Sequence, residues 1–74
     1  MNYTQRIKDL REDRELKQKD IALILGTDQR VYSRYELGTQ ALSIERLITL
    51  CKFYNVSADY ILGFTNEPKP LPKK

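Results

Sequence analysis

Residues 18–38, QKDIALILGTDQRVYSRYELG, decide the fold, because they combine two short helical patterns with a glycine between them. Apolar residues recur at helical spacing before Gly26, which stands where a helix must end. Glycine adopts the left-handed conformation that closes a helix without steric cost. The carboxylate of Asp28 can then accept hydrogen bonds from the free amides in the first turn of a second helix, over residues 29–37. Gly38 ends that helix. The stretch therefore predicts two helices joined by a tight turn.

The composition limits both the fold and the chemistry. With 74 residues the chain suits one small domain. Cys51 has no second cysteine to pair with, and the absence of histidine removes the usual ligands of zinc, so no metal or other cofactor is predicted. The net charge of +3 is only mildly basic and does not by itself identify an anionic partner. No apolar run approaches the length of a membrane span, which favours a cytoplasmic setting.

Further helices are predicted on both sides of this stretch. Tyr3, Ile7 and Leu10 fall on one face of a first helix, whose other face mixes charges of both signs. Ser43 is the predicted N-cap of a fourth helix, which ends at Asn55. The apolar side of that helix is predicted to comprise Ile44, Leu47, Ile48, Leu50, Cys51 and either Phe53 or Tyr54.

The C-terminal part is predicted to contain one short helix and a tail. Ser57 caps the helix over residues 58–62, and Gly63 ends it. Residues 64–74 contain three prolines and lack periodicity, so they should form a flexible tail rich in proline and lysine. The sequence thus predicts an all-α chain, with a compact five-helix domain over residues 1–63 followed by this tail.

Two groups of residues carry a resemblance to a known family. The segment NVSADYILG over residues 55–63 is one of them. The other comprises Gln18, Ala22, Gly26, Ser33, Arg34, Tyr35, Glu36 and Gly38. In this combination and order the chain resembles the helix-turn-helix family of lambdoid phage repressors and Cro proteins, also called the Xre family. The resemblance implies a five-helix, lambda repressor-like DNA-binding domain that places its third helix in the major groove.

The third helix carries the side chains that such a role requires. A recognition helix needs long hydrogen-bonding side chains near its N-terminus, because glutamine can pair with adenine and arginine with guanine. The predicted base contacts are Gln29, Arg30, Ser33 and Arg34, with the two arginines foremost. Taken without the family pattern, the same residues would also suit a polar, solvated helix face.

The resemblance also implies contacts to the phosphate backbone. Gln18, at the start of the second helix, matches a family residue that holds the backbone, and Lys17 and Lys19 add positive charge beside it. The two lysines would alternatively serve solubility alone. Thr39 and Gln40, which follow the recognition helix, are further phosphate candidates by their position.

Other positions bear on how the helices are held together. Arg11 and Glu36 match a family ion pair that joins the first helix to the end of the third, a structural role. Lys17 and Glu15 depart from the family, which commonly has a hydroxyl cap and a glycine there. Tyr32 stands where a β-branched residue usually packs beneath the recognition helix. Its ring is therefore predicted either to enter the core or to be a possible DNA contact.

These observations predict a sequence-specific transcriptional regulator that binds double-stranded DNA, most simply a repressor, with no enzymatic activity. One small domain makes few base contacts, so a homodimer on a pseudo-palindromic operator is expected, associated with the nucleoid in the cytoplasm. The candidate dimer contacts are Tyr54, Tyr60, Ile61 and Phe64. The alternative is a protein-interaction module of the same fold, antirepressor-like or antitoxin-like, with little DNA binding.

Overall fold

The computed structural model describes residues 3–68, and within this range the chain forms helices and no strand. The helices are α1 (Tyr3–Asp13), α2 (Gln18–Leu25), α3 (Gln29–Leu37), α4 (Ile44–Tyr54) and α5 (Ala58–Leu62). The predicted all-α, five-helix architecture is confirmed. None of the described helices has the length and apolar character needed to span a membrane. The predicted tail lies outside the described residues from position 69 onward.

The turn between α2 and α3 has the predicted chemistry. Gly26 ends α2 in the left-handed region, with φ 72°. The Asp28 carboxylate then accepts a hydrogen bond of 3.0 Å from the Val31 backbone amide and caps α3. At the start of α2 the ammonium group of Lys17 cannot accept a hydrogen bond. Instead, the Lys17 backbone amide donates to the Asp20 carboxylate at 2.8 Å, so α2 begins on one half of a capping box.

The core lies between the five helices and consists of aliphatic and aromatic side chains. Ala22 of α2 is buried, and its small side chain suits the close packing of α2 against α3. The thiol of Cys51 is free and buried, and burial raises its pKa, as suits an unreactive core residue. The other buried residues of the core are Ile7, Leu10, Ile21, Tyr32, Tyr35, Leu50, Tyr54, Val56 and Ile61.

The buried side of α4 is narrower than the sequence predicts. Leu50 and Tyr54 are buried, whereas Ile44 is 70% exposed and Ile48 is 46% exposed. Phe53 is also exposed in part and meets the Tyr54 ring edge-on, with the ring centroids 5.0 Å apart. The prediction for the two isoleucines is wrong because, within residues 3–68, the helices packed against α4 cover the side that carries Leu50 and Tyr54.

The chain after α5 returns to α1. Arg6 is only 7% exposed, and its guanidinium lies 4.0 Å from the centroid of the Tyr60 ring, which is a cation–π contact. The same guanidinium donates to the backbone oxygen of Thr65 at 3.4 Å and to the side-chain oxygen of Asn66 at 3.3 Å. Two residues of the predicted tail therefore contact the helical domain.

Candidate nucleic-acid interface

One surface brings together most of the predicted DNA-contacting residues. The outer side of α3 and the start of α2 border a shallow depression of about 420 Å³. The depression is lined by Gln18, Gln29, Arg30, Ser33, Arg34 and Leu37, and we call these residues the α3 face. All four predicted base contacts belong to it, and one predicted phosphate contact lies beside them.

The arginines of the α3 face point away from the core. The Arg30 side chain is 87% exposed, and its Nη2 atom lies 3.8 Å from Asp28 Oδ2. An exposed ion pair of this length contributes little to stability, so the guanidinium can leave it for a ligand. Asp28 still caps α3 when Arg30 moves away. The hydrogen bond from the Val31 amide lowers the pKa of the Asp28 carboxyl. Arg34 is also exposed, so both guanidiniums can form bidentate hydrogen bonds with an acceptor such as guanine.

Positive charge collects where α2 begins, next to the α3 face. Lys17 and Lys19 are exposed on either side of Gln18. The first backbone amides of a helix lack intrahelical acceptors and, with the helix dipole, favour an anion. Thr39 and Gln40 differ, because their backbone amides already donate to a carbonyl in the last turn of α3, at 3.0 and 3.4 Å. At those two positions only the exposed side chains are available to a phosphate.

Glu36 connects three helices behind the α3 face. Arg11 Nε donates to Glu36 Oε2 at 2.7 Å and Arg11 Nη2 donates to Oε1 at 3.0 Å, so the ion pair implied by the family resemblance is present and bidentate. Gln18 Nε2 donates to Glu36 Oε1 at 3.1 Å. Burial alone would raise the pKa of Glu36, but the hydrogen bonds outweigh burial and lower it. The carboxylate therefore holds α1 against α3 and orients Gln18 at the edge of the α3 face.

Tyr32 packs in the core, which corrects its assignment as a possible DNA contact. Its side chain is fully buried, and its ring meets that of Tyr35 edge-on with the centroids 6.3 Å apart. The Tyr32 hydroxyl lies near the Glu36 carboxylate but forms no hydrogen bond of ordinary length and angle among residues 3–68. Burial, followed by the nearby Glu36 carboxylate, raises the pKa of this hydroxyl. The interior thus accommodates the ring beneath α3, and none of it reaches the α3 face.

Burial also divides the candidate dimer contacts. Tyr54 is 2% exposed and Ile61 is fully buried, so the structure removes both from the candidate set. Their predicted role fails because each side chain completes the core of its own chain. Tyr60 is half-buried under the guanidinium of Arg6, whereas Phe64 is 79% exposed. Phe64 is therefore the candidate with a large apolar surface open to a partner.

Leu37 belongs to the α3 face but was not predicted from the sequence. It is 72% exposed at the last turn of α3. It follows Ser33 by four residues and Arg30 by seven, which places the three side chains on one side of the helix. That spacing is visible in the sequence, but leucine at helical spacing more often belongs to a core. Only the folded chain shows that no helix within residues 3–68 covers this position.

Comparison with known proteins gives consistent results. A family model described as helix-turn-helix matches residues 7–61. The uncharacterized HTH-type transcriptional regulator YobD of Bacillus subtilis is 35% identical over 68 residues, which cover 92% of this chain and 61% of that protein. The cryptic phage CTXphi transcriptional repressor RstR of Vibrio cholerae is 39% identical over 54 residues, which cover 73% of this chain and 49% of that protein.

A solved structure has the same fold. The crystal structure of a transcriptional regulator from Listeria innocua matches with a TM-score of 0.82 at 27% sequence identity, and the match covers 89% of this chain and 62% of that chain. The chain spans about half the length of the relatives it matches. Since the family model covers most of the sequence and the helices adopt the expected arrangement, this chain belongs to the helix-turn-helix family, of the Xre type that its sequence resembles.

Proposed function

We propose that this chain is a sequence-specific transcriptional regulator that binds double-stranded DNA, most simply a repressor that occupies its site and blocks polymerase. The α3 face carries the proposal, because it presents two exposed arginines, a glutamine and a serine on one side of a single helix. Two relatives, one named as a transcriptional regulator and the other as a transcriptional repressor, support the same proposal. The proposal assigns no catalytic step to the chain, and it places the protein in the cytoplasm with the nucleoid.

In this proposal α3 lies in the major groove and reads base edges. Arg30 and Arg34 each suit the O6 and N7 acceptors of guanine, and Gln29 suits the N6 and N7 atoms of adenine. Ser33 lies between them and can contact a base or a phosphate. Gln29 and Arg30 stand in the first turn of α3, which is the part that a helix-turn-helix protein inserts most deeply, whereas Arg34 stands in its last turn.

The start of α2 would hold the phosphate backbone. Gln18 Nε2 carries two hydrogens, of which one is directed at Glu36, so the other can reach a phosphate oxygen. Lys17 and Lys19 add charge there, and the free amides of the helix start add donors. The side chains of Thr39 and Gln40 would contact the backbone beyond the C-terminal end of α3. These contacts fix the orientation of α3 without reading sequence.

We also propose that two copies bind a pseudo-palindromic operator. Helix-turn-helix proteins gain specificity by placing two recognition helices on half-sites about one helical turn, roughly 34–36 Å, apart. Phe64 is exposed and stays a candidate dimer contact. Tyr60, four residues before it, is half-buried and stays a candidate as well. Pairing only on the DNA is compatible with this arrangement, since neighbouring half-sites bring the two copies together.

Selection from a random duplex pool, followed by sequencing, tests the proposal. We expect a two-fold symmetric motif, and the separation of its halves would report the geometry of the dimer. Binding to the selected duplex should weaken steeply as salt is raised, because phosphate contacts release counterions. Failure to enrich any motif, together with absent or salt-insensitive binding to every duplex, would contradict the proposal. That result would favour the protein-interaction module as the function of this fold.

A further inference from the structure

Leu37 is the apolar member of an otherwise polar surface. It lines the same depression as Arg30, Ser33 and Arg34, and it is 72% exposed. It does not belong to the buried core or to the partly buried residues that pack against the core. An aliphatic side chain thus stands at the C-terminal end of the face that we propose to meet DNA.

The fold does not account for this leucine. Gly38, with φ 80°, ends α3, and the backbone amides of Gly38 and Thr39 donate to carbonyls of the last turn at 3.3 and 3.0 Å. The helix end is therefore complete without the Leu37 side chain. Exposure alone is also no argument, because single exposed leucines are ordinary. Leu23, for example, is 81% exposed and lies outside the depression.

What distinguishes Leu37 is its position relative to the residues that would read bases. Seven residues separate it from Arg30, or about 10.5 Å along a helix, so it would face a different part of the groove from the bases that Arg30 reads. In the major groove the C5-methyl group of thymine is the apolar feature of a base edge, and aliphatic side chains are its natural contacts. Polar atoms of the other bases would be left without partners against a leucine.

We propose that Leu37 is a specificity-determining residue that contacts the methyl group of a thymine in each half-site. This inference rests on the proposed function, because it assumes that α3 lies in the major groove. Leu37 then adds apolar readout to the hydrogen bonds of the two arginines. It neutralises no phosphate, so it contributes to affinity without contributing to the salt dependence of binding.

Deoxyuridine substitution provides the test, since it removes only the thymine methyl group. Each thymine of the selected duplex would be replaced in turn, and affinity measured by fluorescence anisotropy for the wild type and for Leu37→Ala. At one thymine per half-site, we expect uracil to weaken wild-type binding about fourfold, the effect of one methyl-sized group. In Leu37→Ala the same substitution should have almost no effect. Leu23→Ala, the matched exposed leucine, should behave as the wild type.

Two further readouts separate a failed inference from a failed function. The salt slope of Leu37→Ala should equal that of the wild type, whereas that of Lys19→Ala, a proposed phosphate contact, should be shallower. A selected motif without thymine near the arginine-read bases, or equal uracil effects in the wild type and Leu37→Ala, would overturn the assignment of Leu37 while leaving DNA binding intact. Absence of any preferred duplex would instead overturn the proposed function, and the assignment with it.

Discussion

Glu36 carries a charge at a nearly buried position. Its side chain is 4% exposed and that of its partner Arg11 is 12% exposed. Glu36→Ala would leave the guanidinium buried without its carboxylate, so we expect the free energy of unfolding to fall by about 3–5 kcal/mol. Urea denaturation measures this loss. Arg30→Ala, at an exposed position, should change stability by less than about 0.5 kcal/mol. A loss below about 1 kcal/mol in Glu36→Ala would contradict the structural role.

The lowered pKa of Glu36 makes stability depend on pH. Because the folded-state pKa lies below the ordinary value of 4.5, the unfolded chain binds more protons in acid. The contribution should be complete above about pH 4.5 and should be lost as the pH falls through the folded-state pKa. Urea midpoints between neutral pH and about pH 3 measure it.

Two variants identify the carboxylates responsible for this acid sensitivity. Glu36→Gln should show a shallower decline in stability towards low pH than the wild type, because it removes the titrating group. The pKa of Asp28 is also lowered, by the hydrogen bond from the Val31 amide, so Asp28→Asn is the matched variant for the same pH window. Identical acid profiles in the wild type and Glu36→Gln would show that Glu36 contributes nothing to this dependence.

Replacing Tyr32 tests whether its ring packs in the core and not against DNA. The Tyr32 hydroxyl is buried beside the Glu36 carboxylate without a well-formed hydrogen bond, so Tyr32→Phe should change stability by no more than about 1 kcal/mol. DNA affinity should not change, because the ring lies beneath the α3 face. Thermal unfolding and duplex titration measure the two effects. Weaker DNA binding without loss of stability would show that the ring faces the groove after all.

At the scale of elements, the helix ends could be predicted because capping depends on a few adjacent residues. Gly26, Asp28, Gly38 and Ser43 each act on backbone groups within a turn of their own position. The same local chemistry predicted the end of α4 at Asn55, whose φ of 57° is left-handed. Helix ends of this kind can be predicted from the local sequence, without knowing which helices pack together.

The side of a helix that becomes buried could be predicted only in part, because neighbouring helices decide it. Periodicity identified an apolar side of α4, but not that Ile44 and Ile48 would stay exposed. For α3 the pattern left Tyr32 undecided, since a ring fits a core only if the facing helices leave room. The bond from Gln18 to Glu36 joins residues far apart in the sequence and becomes visible only in the folded chain.

Glu15, two residues after the end of α1, has a backbone conformation that a non-glycine residue does not favour. Glu15 has φ 55°, in the left-handed region, where a non-glycine residue costs about 1–2 kcal/mol. Glu15→Gly should therefore stabilise the chain by about 0.5–1 kcal/mol and raise the melting temperature by a few degrees. Calorimetry measures the change. Glu12→Gly, within α1, should instead destabilise by about 1 kcal/mol, and a loss of stability in Glu15→Gly would contradict the strain.

At the scale of the whole molecule, local arrangement matters more than net charge. The net charge of the chain is only +3. The acidic side chains nearest the α3 face, however, are engaged in capping and ion pairing. Lys17, Lys19, Arg30 and Arg34 remain exposed, and the two arginines border the same depression as Gln18. A mildly basic chain can thus present a surface on which positive charges outnumber negative ones, which supports DNA binding by attraction to phosphates.

The reading of bases by α3 is tested most directly by the affinity of Arg30→Ala for the selected duplex and for a scrambled duplex of equal length. We predict that this variant loses about tenfold or more on the selected duplex, and far less on the scrambled one. Lys19→Ala, a phosphate candidate, should weaken binding to both duplexes equally. Equal weakening of both duplexes by Arg30→Ala would contradict base reading by α3 and would make Arg30 a phosphate contact.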